Sequence, residues 1–87
     1  MEKNEDKLQL EKLGSRLKML RRNCNLTIKY ISEEYGISSR SISNWESGAT
    51  EIGILNLVKY LEVFAEHGIK VSIDSLLDMN NPIKIFI

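Results

Sequence analysis

Residues 27–48 read TIKYISEEYGISSRSISNWESG, and the way this stretch folds decides the architecture. Thr27 has the side chain of a helix N-cap, and Ile28, Ile31 and Tyr35 follow at inward spacings with the small Ser32 between them. Gly36 breaks this helix, and a further one starts after Ser38 and stops at Gly48. Within it Ile42 and Trp45 lie three apart, so both can face a core, with Ile37 just before them. The polar residues then form one outward stripe: Ser39, Arg40, Ser43, Asn44 and Ser47. Serine is a mediocre helix former, and an exposed helix with nothing to touch would more naturally carry Glu, Lys and Gln. The stripe is therefore either a plain serine-rich surface or a face kept short so that something can lie against it. Short hydrogen-bonding side chains with one Arg and one Asn suit base edges, since Arg pairs bidentately with guanine and Asn with adenine. The spacing of Ile28, Ser32, Gly36, Ile42 and Trp45 favours the second reading. A small residue in the first helix, a glycine turn and two apolar anchors in the second make the pattern of a helix-turn-helix.

Upstream, Leu10, Leu13, Leu17, Leu20 and Cys24 recur at spacings of three and four, one stripe of an amphipathic helix over roughly residues 7–23. Asn25 suits the left-handed residue that ends it. Downstream, Ile54, Leu57, Leu61 and Phe64 predict a fourth helix over about 53–67, ended by Gly68. A fifth is expected within VSIDSLLDM, residues 71–79, capped by Ser72. IKVSI, residues 69–73, is the other candidate strand but reads as a helix end and loop. The last residues, NNPIKIFI, read as a turn followed by strand-like alternation over 83–87. The expected class is all-α, five short helices with a short C-terminal strand.

An 87-residue chain makes one domain with a modest core, too small for an enzyme with an enclosed pocket. One cysteine and one histidine, Cys24 and His67, permit no intramolecular disulfide and no zinc pattern. Cys24 is expected as a small buried apolar residue, and His67 as a complement to the helix dipole. A lone histidine without a G-x-S-x-G turn leaves a hydrolase unsupported, and no glycine-rich phosphate loop is present. The opening twelve residues, MEKNEDKLQLEK, carry no apolar signal core, and no apolar run approaches a membrane span, so a reducing cytoplasm is expected. Net charge is zero, but it is unevenly spread. Residues 1–22 hold seven basic and four acidic side chains, whereas residues 51–87 hold three and five. A polyanion should meet the N-terminal half.

GSRLKMLRRNCNLTIKYISEEYGISSRSISNWESGAT, residues 14–50, resembles the lambda-repressor-like, Cro/XRE-type DNA-binding regulators. The elements R-L-K-x-L-R, N-L-T, Y-G-I-S, S-I-S-x-W-E-x-G and the following L-x-x-L-V-K-Y-L stand where that family has them. The likeness covers residues 14–64 closely and 65–79 loosely. It implies a helix-turn-helix DNA-binding domain over 14–79; outside the likeness lie 1–13, read as a charged N-terminal helical extension, and 80–87, read as an apolar tail and dimerisation strand. It places base-reading positions on Ser39, Arg40, Ser43 and Asn44. Phosphate-anchoring positions fall on Thr27 and Ile28 and on Ser47 through Thr50, and Lys29 is expected to add a charge there. It also implies a buried ion pair between Arg21 and Glu46. The region around Trp45 is too apolar to hold a lone carboxylate cheaply, and an acid at a helix C-terminus opposes the dipole.

The chain departs from the family in three places. Ile28 stands where the family usually has Gln. The loop after the third helix, ATEI, carries Glu51 where that loop is often basic. AEHGIK, residues 65–70, makes the chain about one helical turn longer where such proteins often form dimer contacts. The first two predict weak electrostatic binding that leans on Lys29, Arg40 and the N-terminal basic residues. The third predicts an altered dimer.

The expected function is a cytoplasmic transcriptional regulator, a repressor by resemblance. It binds a short stretch of double-stranded DNA as a homodimer, with residues 39–47 in the major groove. No metal, cofactor, small-molecule ligand, membrane contact or catalytic residue is expected. The rival is an antitoxin-like or adaptor protein whose main role is to bind a partner protein. For the tail, Ile83, Ile85, Phe86 and Ile87 are too apolar for water, and a single strand needs a partner edge. Symmetric pairing with a second subunit would supply one; folding back over the first and fourth helices is the alternative.

Overall fold

The computed structural model describes residues 2–86, with side chains from 6 to 85. In chain order the elements are α1 (Glu2–Asn23), α2 (Ile28–Tyr35), α3 (Ser39–Ser47), α4 (Ile54–Glu66), β1 (Lys70–Val71), α5 (Ile73–Leu77) and β2 (Ile85–Phe86). Helix α1 begins five residues earlier than its apolar stripe predicts, because the charged opening continues the helix. Leu17 and Leu20 are fully buried, and Leu13 and Cys24 pack partly against them. Asn25 adopts φ 59°, the left-handed region, and turns the chain toward α2.

Local capping accounts for the boundaries that follow. Thr27 Oγ1 accepts from Tyr30 N at 3.0 Å, and Ser38 Oγ accepts from Ser41 N at 3.4 Å. Gly36 and Gly48 end their helices at φ 67° and 82°, conformations that a side chain would strain. Of the inward positions on α2, Ile31 is fully buried while Ile28 and Tyr35 are half-buried. Ile37, Ile42 and Trp45 join the same core.

Helices α1 and α3 approach so closely at Gly14 that a Cβ there would lie 2.5 Å from the Trp45 carbonyl oxygen and 2.6 Å from that of Glu46. The backbones themselves form this contact, which fixes the height of α3 against α1.

Helix α4 differs from its predicted face. Leu57, Leu61 and Phe64 are buried as expected, but so are Tyr60 and Val63, and Ile54 is 62% exposed. Tyr60 and Val63 move the centre of the buried face away from Ile54, which is left at its edge in the first turn. Tyr60 meets Trp45 edge-on at 6.0 Å between ring centroids and leans on Phe64 at 4.8 Å.

The tail requires a correction. Residues 69–73 are not simply a helix end and loop, because Lys70–Val71 form a strand. It pairs antiparallel with β2, Lys70 opposite Phe86 and Val71 opposite Ile85. The tail therefore has its partner edge within its own chain, and the argument for pairing 80–87 between subunits falls. The start of the tail is also tied to α1. Arg16 of α1 donates from Nη1 to the carbonyl oxygens of Ser75, Leu76 and Asp78, and from Nη2 to that of Asn81, at 2.6–3.1 Å. The amide of Lys84 donates to Ser75 Oγ at 2.7 Å. Ile83 packs partly against the core. Ile87, part of the expected isoleucine face, lies outside the described residues. The longer stretch after Phe64 forms the end of α4 and the turn into β1.

Candidate nucleic-acid interface

Helix α3 separates its two duties by face. Ile42, Trp45 and Glu46 are buried. Ser39, Arg40, Ser43 and Ser47 are exposed, and Asn44 is half-buried beside them. The stripe expected to read bases thus forms one accessible surface with a single cation, Arg40. At its C-terminal end Ser47 is already engaged: its hydroxyl donates to the Asn44 carbonyl at 3.2 Å and accepts from Ala49 N at 3.3 Å. Ala49 and Thr50 also donate their amides to that carbonyl, at 2.9 and 3.3 Å. The turn after α3 is therefore tied to α3, with Thr50 exposed.

At the start of α2, Thr27 accepts the capping bond through its oxygen and keeps its O–H free to donate. Lys29 is exposed. Ile28 cannot offer a side-chain hydrogen bond, so its position can hold an anion only through its amide. Glu51 is exposed and lines a cleft of about 550 Å³ with Leu10, Leu13, Ile54 and Leu77.

Beneath the stripe lies a buried polar network. Arg21 Nε and Nη2 donate to the two carboxylate oxygens of Glu46 at 2.8 and 2.9 Å, a bidentate pair with each residue only 8% exposed. Arg21 Nη1 donates to the Leu26 carbonyl at 2.9 Å, and the Tyr60 hydroxyl donates to Glu46 Oε2 at 2.7 Å. The network joins α1, the turn before α2, α3 and α4, so it sets where α3 stands relative to the start of α2. The hydrogen bonds that Arg21 donates to Glu46 raise the pKa of Arg21 despite burial. Burial, and next the Glu46 carboxylate, push the Tyr60 phenol well above its ordinary value. Tyr60 was not legible as part of this site, since its spacing from Glu46 marks no motif.

Other ionisable residues serve the scaffold. His67 sits at the C-cap of α4 with Nδ1 2.8 Å from the Val63 carbonyl, between the edges of the Tyr30 and Tyr35 rings. The Tyr35 hydroxyl donates to Glu66 Oε1 at 2.8 Å, and that bond is the main reason its phenol is pushed up to about 12. Burial raises the Cys24 thiol.

A family model described as a helix-turn-helix domain matches residues 14–67, well over half of the chain. The chain belongs to the helix-turn-helix domain family, in agreement with its likeness to Cro/XRE-type regulators, and such a domain points to a DNA-binding regulator. No curated protein and no solved structure matches the chain. Among the described residues no helix is long and apolar enough to cross a membrane.

Proposed function

We propose that this protein is a sequence-specific transcriptional regulator that binds a short operator as a homodimer, α3 lying in the major groove. The observation that carries this reading is the division of α3. One face is locked into the core through Ile42, Trp45 and the Arg21–Glu46 pair, while the other presents short polar side chains to solvent. In this reading Ser39, Arg40, Ser43 and Asn44 contact base edges. Thr27, the amide of Ile28, Lys29, Ser47 and Thr50 contact phosphates. Ser47 contributes least, because its hydroxyl is held by the turn.

A homodimer is the arrangement that lets two recognition helices, about 34 Å apart, read successive major grooves. With the tail paired inside the chain, the surface best suited to a second subunit is the apolar strip on α4. Leu55 is 82% exposed there, with Ile54, Val58 and the neighbouring Leu77. The same strip supports the second reading, an antitoxin-like or adaptor protein that holds a different protein partner.

Selection of bound fragments from random duplex DNA tests the proposal. A single recovered site of two related halves is expected. Arg40→Ala should weaken that site by roughly 1–3 kcal/mol and relax one position, leaving binding to random DNA little changed. Equal losses on both would remove Arg40 from base reading. A chain that sediments as a monomer with its DNA would remove the homodimer.

A further inference from the structure

Seven basic residues lie between positions 1 and 22, and the fold sorts most of them by role. Arg16 is consumed by four carbonyls at the end of α5 and the following turn. Arg21 is consumed by Glu46 and Leu26. Lys12 borders a separate groove with Arg16 and Met79. Lys18 and Arg22, one helical turn apart on α1, remain exposed, and both line an open groove of about 260 Å³ whose other wall includes Ser43 and Ser47 of α3. Ile28 closes one side of it.

We propose that Lys18 and Arg22 form the principal phosphate-binding subsite of the DNA face, a role assigned to α1 and not to the loop after α3. The proposal rests on the DNA-binding reading above and identifies where that reading places its charge. Among the described residues Glu46 is the one acid lining the groove, and both its oxygens are occupied by Arg21 and Tyr60. The pair Arg21–Glu46 is neutral as a unit, so the groove carries the two positive charges of Lys18 and Arg22. At the opposite end of the α1–α3 contact the sign reverses. The backbone of Glu11 packs against Gly48, and Glu51 follows in the loop, so a phosphate approaching there meets two exposed carboxylates. Ile28 removes the neutral side-chain contact at the start of α2, and the adjacent cations on α1 take over the anchoring. A phosphodiester seated in this groove lies beside Ser43, within the stripe that reads bases. The subsite therefore sets the register of α3 along the duplex, while Arg40 and Asn44 supply the sequence.

The test measures binding of the full chain to a random-sequence duplex and to its selected site over a range of salt. Each phosphate contact contributes about 0.9 to the slope of log affinity against log salt. Lys18→Gln with Arg22→Gln should lower that slope by about 1.8 per subunit, or roughly 60-fold in affinity at 0.1 M salt if the curves meet at 1 M. The loss should be equal on both duplexes. Lys12→Gln with Lys59→Gln makes the same charge change outside the groove and should leave the slope within about 0.5 of the parent. An unchanged slope in the first variant, or an equal fall in the second, overturns the subsite while leaving DNA binding intact. A parent chain that binds neither duplex at low salt overturns the subsite and the DNA-binding reading together.

Discussion

Glu46→Ala is the substitution for which the structure makes its strongest demand. The carboxylate takes three hydrogen bonds, two from Arg21 and one from Tyr60, at 2.7–2.9 Å. Its removal leaves a guanidinium 8% exposed with the Leu26 carbonyl as its remaining partner, and leaves the buried Tyr60 hydroxyl with none. Breaking one side of a buried pair costs about 3–5 kcal/mol. A domain of this length has roughly 4–13 kcal/mol of stability in all. At about 4–8 °C per kcal/mol, the melting temperature should fall by at least about 12 °C. Urea denaturation followed by circular dichroism gives the free-energy difference directly. Arg21→Met combined with Glu46→Leu removes both charges and should recover about half of the loss, the Leu26 carbonyl and Tyr60 hydroxyl remaining unpaired. A shift below about 1 kcal/mol for Glu46→Ala is what a solvent-screened pair would give, and would refute the reasoning. Failure of the double variant to improve on the single one would refute the account of its cause.

Gly14→Ala should destabilise by about 1–3 kcal/mol despite alanine's better helix propensity, because the added methyl meets backbone oxygens of α3 that cannot move singly; thermal unfolding measures it. Stability should also fall in alkali. Tyr60 has its folded pKa raised, so the unfolded chain loses that proton first, and the stabilisation present below about pH 10 is lost as pH rises past it. Tyr35, pushed up to about 12 by Glu66, acts in the same direction between about pH 10 and 12. Tyr60→Phe should flatten the alkaline fall, and an unchanged profile would contradict this. Arg16→Met should release the tail, so hydrogen exchange of the Lys84 amide should quicken while amides within α1 and α3 keep their protection. Equal protection in both chains would show that β1 and Ser75 hold the tail unaided.

The helices of this fold are legible because their signals are local. Thr27, Ser38 and Ser72 are caps, and Gly36 and Gly48 are left-handed ends, each readable from a few neighbours. The C-terminal strand was legible from its alternation, but its partner β1 was not, because Lys70–Val71 is two residues long, too short for any alternation to register. Arg16 escaped for a different reason: its partners are backbone carbonyls, and a carbonyl leaves no mark in a sequence. On α4 the four-residue stripe was real but off-centre, since Tyr60 and Val63 also turn inward. The Arg21–Glu46 contact was reachable through resemblance, with the apolar neighbourhood of Trp45 as the one independent sign. Lys18 and Arg22 were visible as charge and not as a site, because only packing shows that Arg16 and Arg21 are already spent.

The two-sided build of α3 has a consequence for how this protein can change over generations. Ser39, Arg40 and Ser43 carry no packing duty, so exchanges there explore new partners without exposing the chain to unfolding and proteolysis. Ile42, Trp45 and Glu46, interleaved with them along nine residues, have almost no such latitude. Variation in a lineage, or in a laboratory library, should therefore collect in an alternating pattern along this one helix. Each new preference can arise by single steps through folded intermediates.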